Sequence, residues 1–166
     1  MSEDTIRKSN TSDEKEIKNL MAMCFGDEKN LEPYNDLENR YYLYFKNNKL
    51  VAMTGLTSNS EYNHLEIDWT CTNPEYRHQG YMQKLFKEML NGVKEDVYCS
   101  CWRLKGKANA NLHTIMKLYN FKLVIESRVH WKVPHNCFRS YNGGCRKCTG
   151  LNCECYEDLY LRTYEK

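Results

Sequence analysis

Apolar positions along the chain recur with two different periods, and the changes between them lay out the elements. A short apolar stretch around Ile6 comes first. Thr11 and Glu14 have capping-box spacing, and Ile17, Leu20, Met21 and Cys24 follow at i, i+3, i+4 and i+7 before Gly26, which predicts an amphipathic helix with a stop. Residues 27–39 are polar and include Pro33, the pattern of a loop or short helix. Residues 41–45, the Asn47-Asn48 turn and residues 50–56 predict a β-hairpin. A further turn at Asn59-Ser60 leads into a strand over residues 64–72. There Leu65, Ile67, Trp69 and Cys71 alternate with Glu66, Asp68, Thr70 and Thr72, so regular pleating puts carboxylates and hydroxyls on one face and apolar groups on the other.

Pro74 ends that strand, and Arg77-His78-Gln79-Gly80 leads into Met82, Leu85, Phe86, Met89 and Leu90 at helical spacing. A strand over residues 97–102, a helix face of Leu112, Ile115, Met116 and Tyr119, and a strand over residues 121–133 follow. Residues 159–163 are expected to close the sheet. Helices alternating with strands after an antiparallel start predict an α/β domain with a mixed sheet, and no internal repeat is visible.

Length and charge narrow this picture. With 166 residues the chain is expected to form one domain around one core. A net charge of +2 excludes a strongly basic nucleic-acid module or an acidic tail as a reading of the whole chain. Met1 is not followed by an apolar leader and no long apolar run occurs, so the expectation is a cytoplasmic protein with no membrane partner. In that compartment the nine cysteines point to buried thiols or metal ligands before disulfides.

The candidate chemistry begins at the loop before the second predicted helix. A helix N-terminus presents backbone N–H groups without partners and a partial positive charge, so a glycine-containing turn feeding it is suited to an anion such as phosphate. Gly80 would let the backbone approach closely, and Arg77 adds a side-chain charge. The surrounding stretch, Asn73-Pro74-Glu75-Tyr76-Arg77-His78-Gln79-Gly80-Tyr81-Met82, resembles the acetyl-CoA-binding signature of the GNAT N-acetyltransferase superfamily. Arg77 and Gly80 match that signature, whereas Met82 stands where a small residue is usual. The resemblance implies the GNAT acyl-CoA N-acyltransferase fold over residues 1–133, with backbone contacts from Arg77, His78, Gln79, Gly80, Tyr81 and Met82 to the pyrophosphate of acetyl-CoA. Amides of Thr70, Cys71 and Thr72 would hold the pantetheine arm.

A second family signature covers Asn109, Leu112, Met116, Asn120 and Phe121 in register. It implies cofactor contact by Asn109. The family's proton-donating tyrosine is replaced by Met116, whose thioether cannot donate, which makes Tyr119 the candidate substitute. By its spacing from Thr72, Glu66 corresponds to the glutamate that the histone-acetylating branch uses as general base, and Asp68 competes with it. An ammonium cannot attack a thioester until it loses a proton, which is why a carboxylate is wanted there. The implied function is acetyl transfer from acetyl-CoA to a primary amine by direct attack. Near-neutral charge favours a small-molecule amine over a peptide amine and speaks against nucleic acid; a monomer and a homodimer are both open.

The last feature stands outside that resemblance. Cys137, Cys145, Cys148, Cys153 and Cys155 fall in a C-terminal extension, residues 134–166, expected to pack on the same domain and to supply the final strand. Four of these thiols at C-x2-C-x4-C-x-C spacing could close a tetrahedral zinc site, but the second pair is cramped, and reduced thiols rank ahead of zinc. A reading from a different class also follows: an acyl-CoA-binding module of weak activity whose Cys-rich knuckle contacts protein or RNA.

Overall fold

In a computed structural model of the chain, residues 4–25, 37–59, 64–103, 106–128 and 156–164 are described. They fall into two compact units, Met1–Val93 and Lys94–Lys166. The cysteine cluster at 137–155, the end of the strand predicted over 121–133, and most of residues 27–39 lie outside the described residues. No described helix is long and apolar enough to cross a membrane.

The first unit is built on four antiparallel strands in the order β1 (Asp4–Lys8), β2 (Tyr41–Lys46), β3 (Lys49–Asn59) and β4 (His64–Thr72). The β2–β3 turn is the predicted one: Asn47 and Asn48 both take left-handed φ, 50° and 62°, as a two-residue hairpin requires. Helix α1 (Glu14–Phe25) packs on β3 and β4, and α2 (Tyr81–Met89) packs on β2 and β3. Ile17, Leu20 and Met21 are fully buried against Tyr41, Leu43, Phe45, Met53 and Cys71, while Tyr44, of opposite parity on β2, meets Tyr81 of α2 at 4.8 Å. The strands are therefore covered by one helix on each face.

The start of α1 differs from expectation. A 3₁₀ turn, Thr11–Asp13, precedes the helix, and the capping box is made by Asn10 and Asp13 rather than Thr11 and Glu14. Asn10 takes the role because its side chain can accept from Ser12 N at 2.9 Å while the buried Asp13 carboxylate accepts from Asn10 N at 2.9 Å. Asp13 is also held by Arg7 through two bonds of 2.6 and 2.7 Å, and this guanidinium keeps its pKa below the ordinary carboxylate value.

In the second unit β5 (Val97–Arg103), helix α3 (His113–Leu118), β6 (Lys122–Arg128) and β7 (Tyr156–Arg162) follow one another. The last strand, expected to close the sheet, lies between β5 and β6, antiparallel to both. Its centre explains the placement, because Tyr160 is 1% exposed and Asp158 is 2% exposed, and both need covering from either side. Asp158 is neutralised there by Arg103 at 2.9 Å, and Arg103 also reaches Glu126 of β6 at 2.5 Å.

Candidate functional site

The predicted anion loop is formed by backbone that few sequences adopt without help. Asn73 is buried and its side chain accepts from Glu75 N at 3.1 Å, starting a 3₁₀ turn over Pro74–Tyr76. Arg77 Nε donates to the Thr72 carbonyl at 3.2 Å, and Gln79 Nε2 to the Glu75 carbonyl at 3.3 Å, which folds the loop back on the strand end. His78 and Gly80 then both take left-handed φ, 61° and 81°. A Cβ at Gly80 would meet nothing nearer than Gln83 Oε1 at 3.7 Å, so the glycine is required by its backbone angle and not by crowding. Left-handed residues immediately before a helix leave backbone N–H groups free of helical partners, a feature that suits anion binding.

The side chains of this segment divide cleanly. Arg77, His78 and Gln79 are exposed at the mouth, whereas Tyr81 and Met82 turn inward and are 5% and 8% exposed. Met82 is therefore a core residue, and its departure from the family pattern leaves the backbone amide in place. Tyr81 is fixed at its hydroxyl, which accepts from Lys46 Nζ at 2.6 Å and donates to Gln79 Oε1 at 3.2 Å.

Strand β4 departs from the regular alternation read from the sequence. Met53 pairs with Cys71 and Gly55 with Asp68, so Trp69 and Thr70 together oppose the single residue Thr54. This β-bulge, with Trp69 at φ 40°, shifts the parity of the strand by one. Glu66 and Asp68 consequently share the face of Cys71, on the α1 side, while Thr70 and Thr72 lie on the face of Leu65 and Ile67. Thr70 Oγ1 meets Thr54 Oγ1 there at 2.8 Å, and Trp69 packs edge-on against Phe25 of α1 at 5.8 Å. Carboxylates and hydroxyls, expected on one face, are on opposite ones.

The two candidate bases are also unequal. Asp68 Oδ2 accepts from Arg40 Nη2 at 2.9 Å and from Thr57 Oγ1 at 3.0 Å. Its other oxygen lies across Gly55, where any Cβ would collide with it and would stand 3.1 Å from the Tyr41 ring. Burial lifts the Asp68 pKa above the ordinary carboxylate value, against the opposing pull of Arg40 and Thr57. Glu66 is half-buried and pairs in register with Thr57. Arg40 and Thr57 had no signature in the sequence; Gly55, a glycine inside a strand pattern, was the one available hint that something approaches the backbone closely.

On the second unit, Asn109 is exposed just ahead of α3. Met116 is fully buried and contributes no proton donor, and Tyr119 caps the end of α3 half-buried. His113 Nδ1 lies 2.8 Å from the Tyr160 hydroxyl, whose pKa burial pushes up to about 12. Among the described residues no group of His, Cys, Asp and Glu side chains has the arrangement of a metal site.

Comparison with known proteins bears on this arrangement. No curated protein sequence matches the chain. Solved structures do: a GNAT-family acetyltransferase from Bacillus cereus ATCC 10987 superposes with TM-score 0.69 at 12% identity, covering 99% of each chain. The ribosomal-protein-S18-alanine N-acetyltransferase of Escherichia coli gives 0.66 at 12% identity over 99% of this chain and 96% of its own. An aminoglycoside 6'-N-acetyltransferase complexed with coenzyme A gives 0.67 at 8% identity, covering 98% of each. At such identities these likenesses establish the α/β GNAT fold. The sequence profile of the acetyltransferase (GNAT) domain matches residues 5–101, a span that runs from β1 through the loop and α2 into β5, and by that match the chain belongs to the GNAT acetyltransferase family.

Proposed function

We propose that this protein transfers the acetyl group of acetyl-CoA to a primary amine by direct attack, with no covalent enzyme intermediate. The observation that carries the reading is the loop from Arg77 to Gly80, whose left-handed residues lead into the N-terminus of α2 in a chain of this family. Acetyl-CoA supplies an activated thioester. The chain's own part is to bind, orient and move one proton.

Amides of residues 77–82 hold the pyrophosphate, with the Arg77 guanidinium beside them. Amides around Thr70, Cys71 and Thr72 hold the pantetheine arm and polarise the acetyl oxygen; Cys71 contributes only backbone, since its thiol is buried. Asn109 adds a cofactor contact, as its place in the family pattern implies. Glu66 is the base that takes the proton from the acceptor ammonium, because Asp68 is already committed to Arg40 and Thr57. Tyr119 is the candidate donor to the departing sulfur. A thiol with a pKa of about 8.5 leaves readily as thiolate, so this donor assists without being indispensable. The near-neutral charge favours a small amine, with a peptide amine second.

Release of free thiol from acetyl-CoA, measured over a panel of small amines and peptide N-termini, tests this. Turnover on one class is expected, with Glu66→Gln lowering it by about 100-fold or more at unchanged acetyl-CoA affinity. Acetyl-CoA binding without turnover on any amine, joined to salt-sensitive RNA binding, would replace the enzyme by an acyl-CoA-binding module.

A further inference from the structure

Two thiols that the acetyl-transfer scheme does not use lie on packed elements, one on α1 and one on β4. Cys24 is in the last turn of α1 and Cys71 is near the end of β4. The Cys24 thiol donates to the carbonyl of Thr72, the next residue after Cys71, at 3.3 Å, and Cys24 packs on the core cluster that contains Cys71. The Cys24 thiol is thus set against the end of the strand that carries Cys71. Cys71 is 6% exposed whereas Cys24 is only partly buried, so one member is reachable from solvent and the other is not.

We propose that Cys24 and Cys71 form an oxidant-sensitive thiol pair, in which a hydroperoxide oxidises Cys24 and Cys71 then closes on it as a disulfide joining α1 to β4. In the first step the Cys24 sulfur attacks the terminal peroxide oxygen. An S–O bond forms, the O–O bond breaks, and the leaving oxygen departs as alcohol, or as water from hydrogen peroxide, with the former thiol proton. In the second step the Cys71 sulfur attacks the sulfenic sulfur of Cys24. The S–S bond forms, the S–O bond breaks, and hydroxide leaves with the Cys71 proton as water. Two thiols have lost two electrons and one hydroperoxide has gained them.

The order of the two steps follows from their surroundings. The neighbouring Cys71 thiol and the charge of Arg77 hold Cys24 below the ordinary thiol pKa, while burial pushes Cys71 well above it. Cys24 is thus the attacking sulfur and Cys71 the resolving one. The Thr72 carbonyl accepts from both Cys24 Sγ and Arg77 Nε, so oxidation removes one of two donors from the group that anchors the Arg77 loop.

The proposal does not depend on the acetyl-transfer reading, and its test needs no substrate. Full-length reduced protein is exposed to stoichiometric hydrogen peroxide, remaining thiols are alkylated, and the cross-linked peptides are mapped by mass spectrometry. The expected product is one peptide pair linking Cys24 to Cys71, reversed by dithiothreitol. The Cys71→Ser protein should carry Cys24 onward to sulfinic acid, because nothing resolves its sulfenic acid. Pairing of Cys24 with a cysteine of the 137–155 cluster, or sulfinic acid at Cys24 in the unaltered protein with Cys71 still a free thiol, would overturn it.

Discussion

The loop before α2 and the carboxylate face of β4 are separated by a few residues of chain, yet they are built in opposite ways. The loop does its work with backbone: left-handed φ at His78 and Gly80 and the N–H groups that precede a helix. Side chains at its two inner positions, Tyr81 and Met82, belong to the core. The carboxylate face works with side chains, through Arg40, Thr57 and Asp68 laid across Gly55. A backbone device tolerates substitution wherever the angle is kept; a side-chain network does not. The difference says where mutation should hurt binding and where it should hurt folding.

The sharpest break of that contrast is at Gly80. Gly80→Val puts a β-branched residue at φ 81° and should weaken acetyl-CoA binding by about thirtyfold or more, roughly 2 kcal/mol, measured by calorimetry. Met82→Ala should do the reverse, lowering stability by about 2–4 kcal/mol in a denaturant titration while leaving affinity within about twofold. On the carboxylate face, Gly55→Ala should destabilise by about 1–3 kcal/mol, since the new methyl and Asp68 Oδ1 claim the same space.

A smaller effect separates the face from the loop by pH. Asp68 is raised by burial, so the folded protein keeps that proton to higher pH than the unfolded chain does. Its stabilising effect is complete below the unfolded value, near pH 4, and is lost as pH rises through the folded value. Arg40→Met removes a group that pulls the value down and widens this window. The variant should therefore lose thermal stability against the unaltered protein as pH rises beyond the folded Asp68 value of the unaltered protein, and adding Asp68→Asn should flatten the difference. Asp13 gives the opposite sign: Arg7 depresses it, so its contribution is present above the unfolded value and disappears as acid protonates it.

The same contrast explains what the sequence made legible. The helix faces of Ile17, Leu20 and Met21 and of Leu85, Phe86 and Met89 were readable because burial imposes a period, and all six are fully buried. The loop was readable because a backbone requirement leaves a glycine in the chain. The bulge at Trp69 and Thr70 left no such trace: one extra residue against Thr54 changes the face of everything before it without changing the alternation on the page. Arg40 and Asp68 are brought together by strand pairing over a long stretch of chain, and nothing local to either announces the other. The Asn10–Asp13 cap was displaced by one position for a related reason, since Arg7, a residue on β1, anchors Asp13.

Calorimetric titration of acetyl-CoA into the unaltered protein and Gly80→Val, with Met82→Ala as the folding control, tests the central claim most directly. One site per chain in the unaltered protein and in Met82→Ala, with binding lost or severely weakened in a Gly80→Val protein that remains folded, is the predicted result. No binding to the unaltered protein, or equal affinity in the folded Gly80→Val variant, would contradict it.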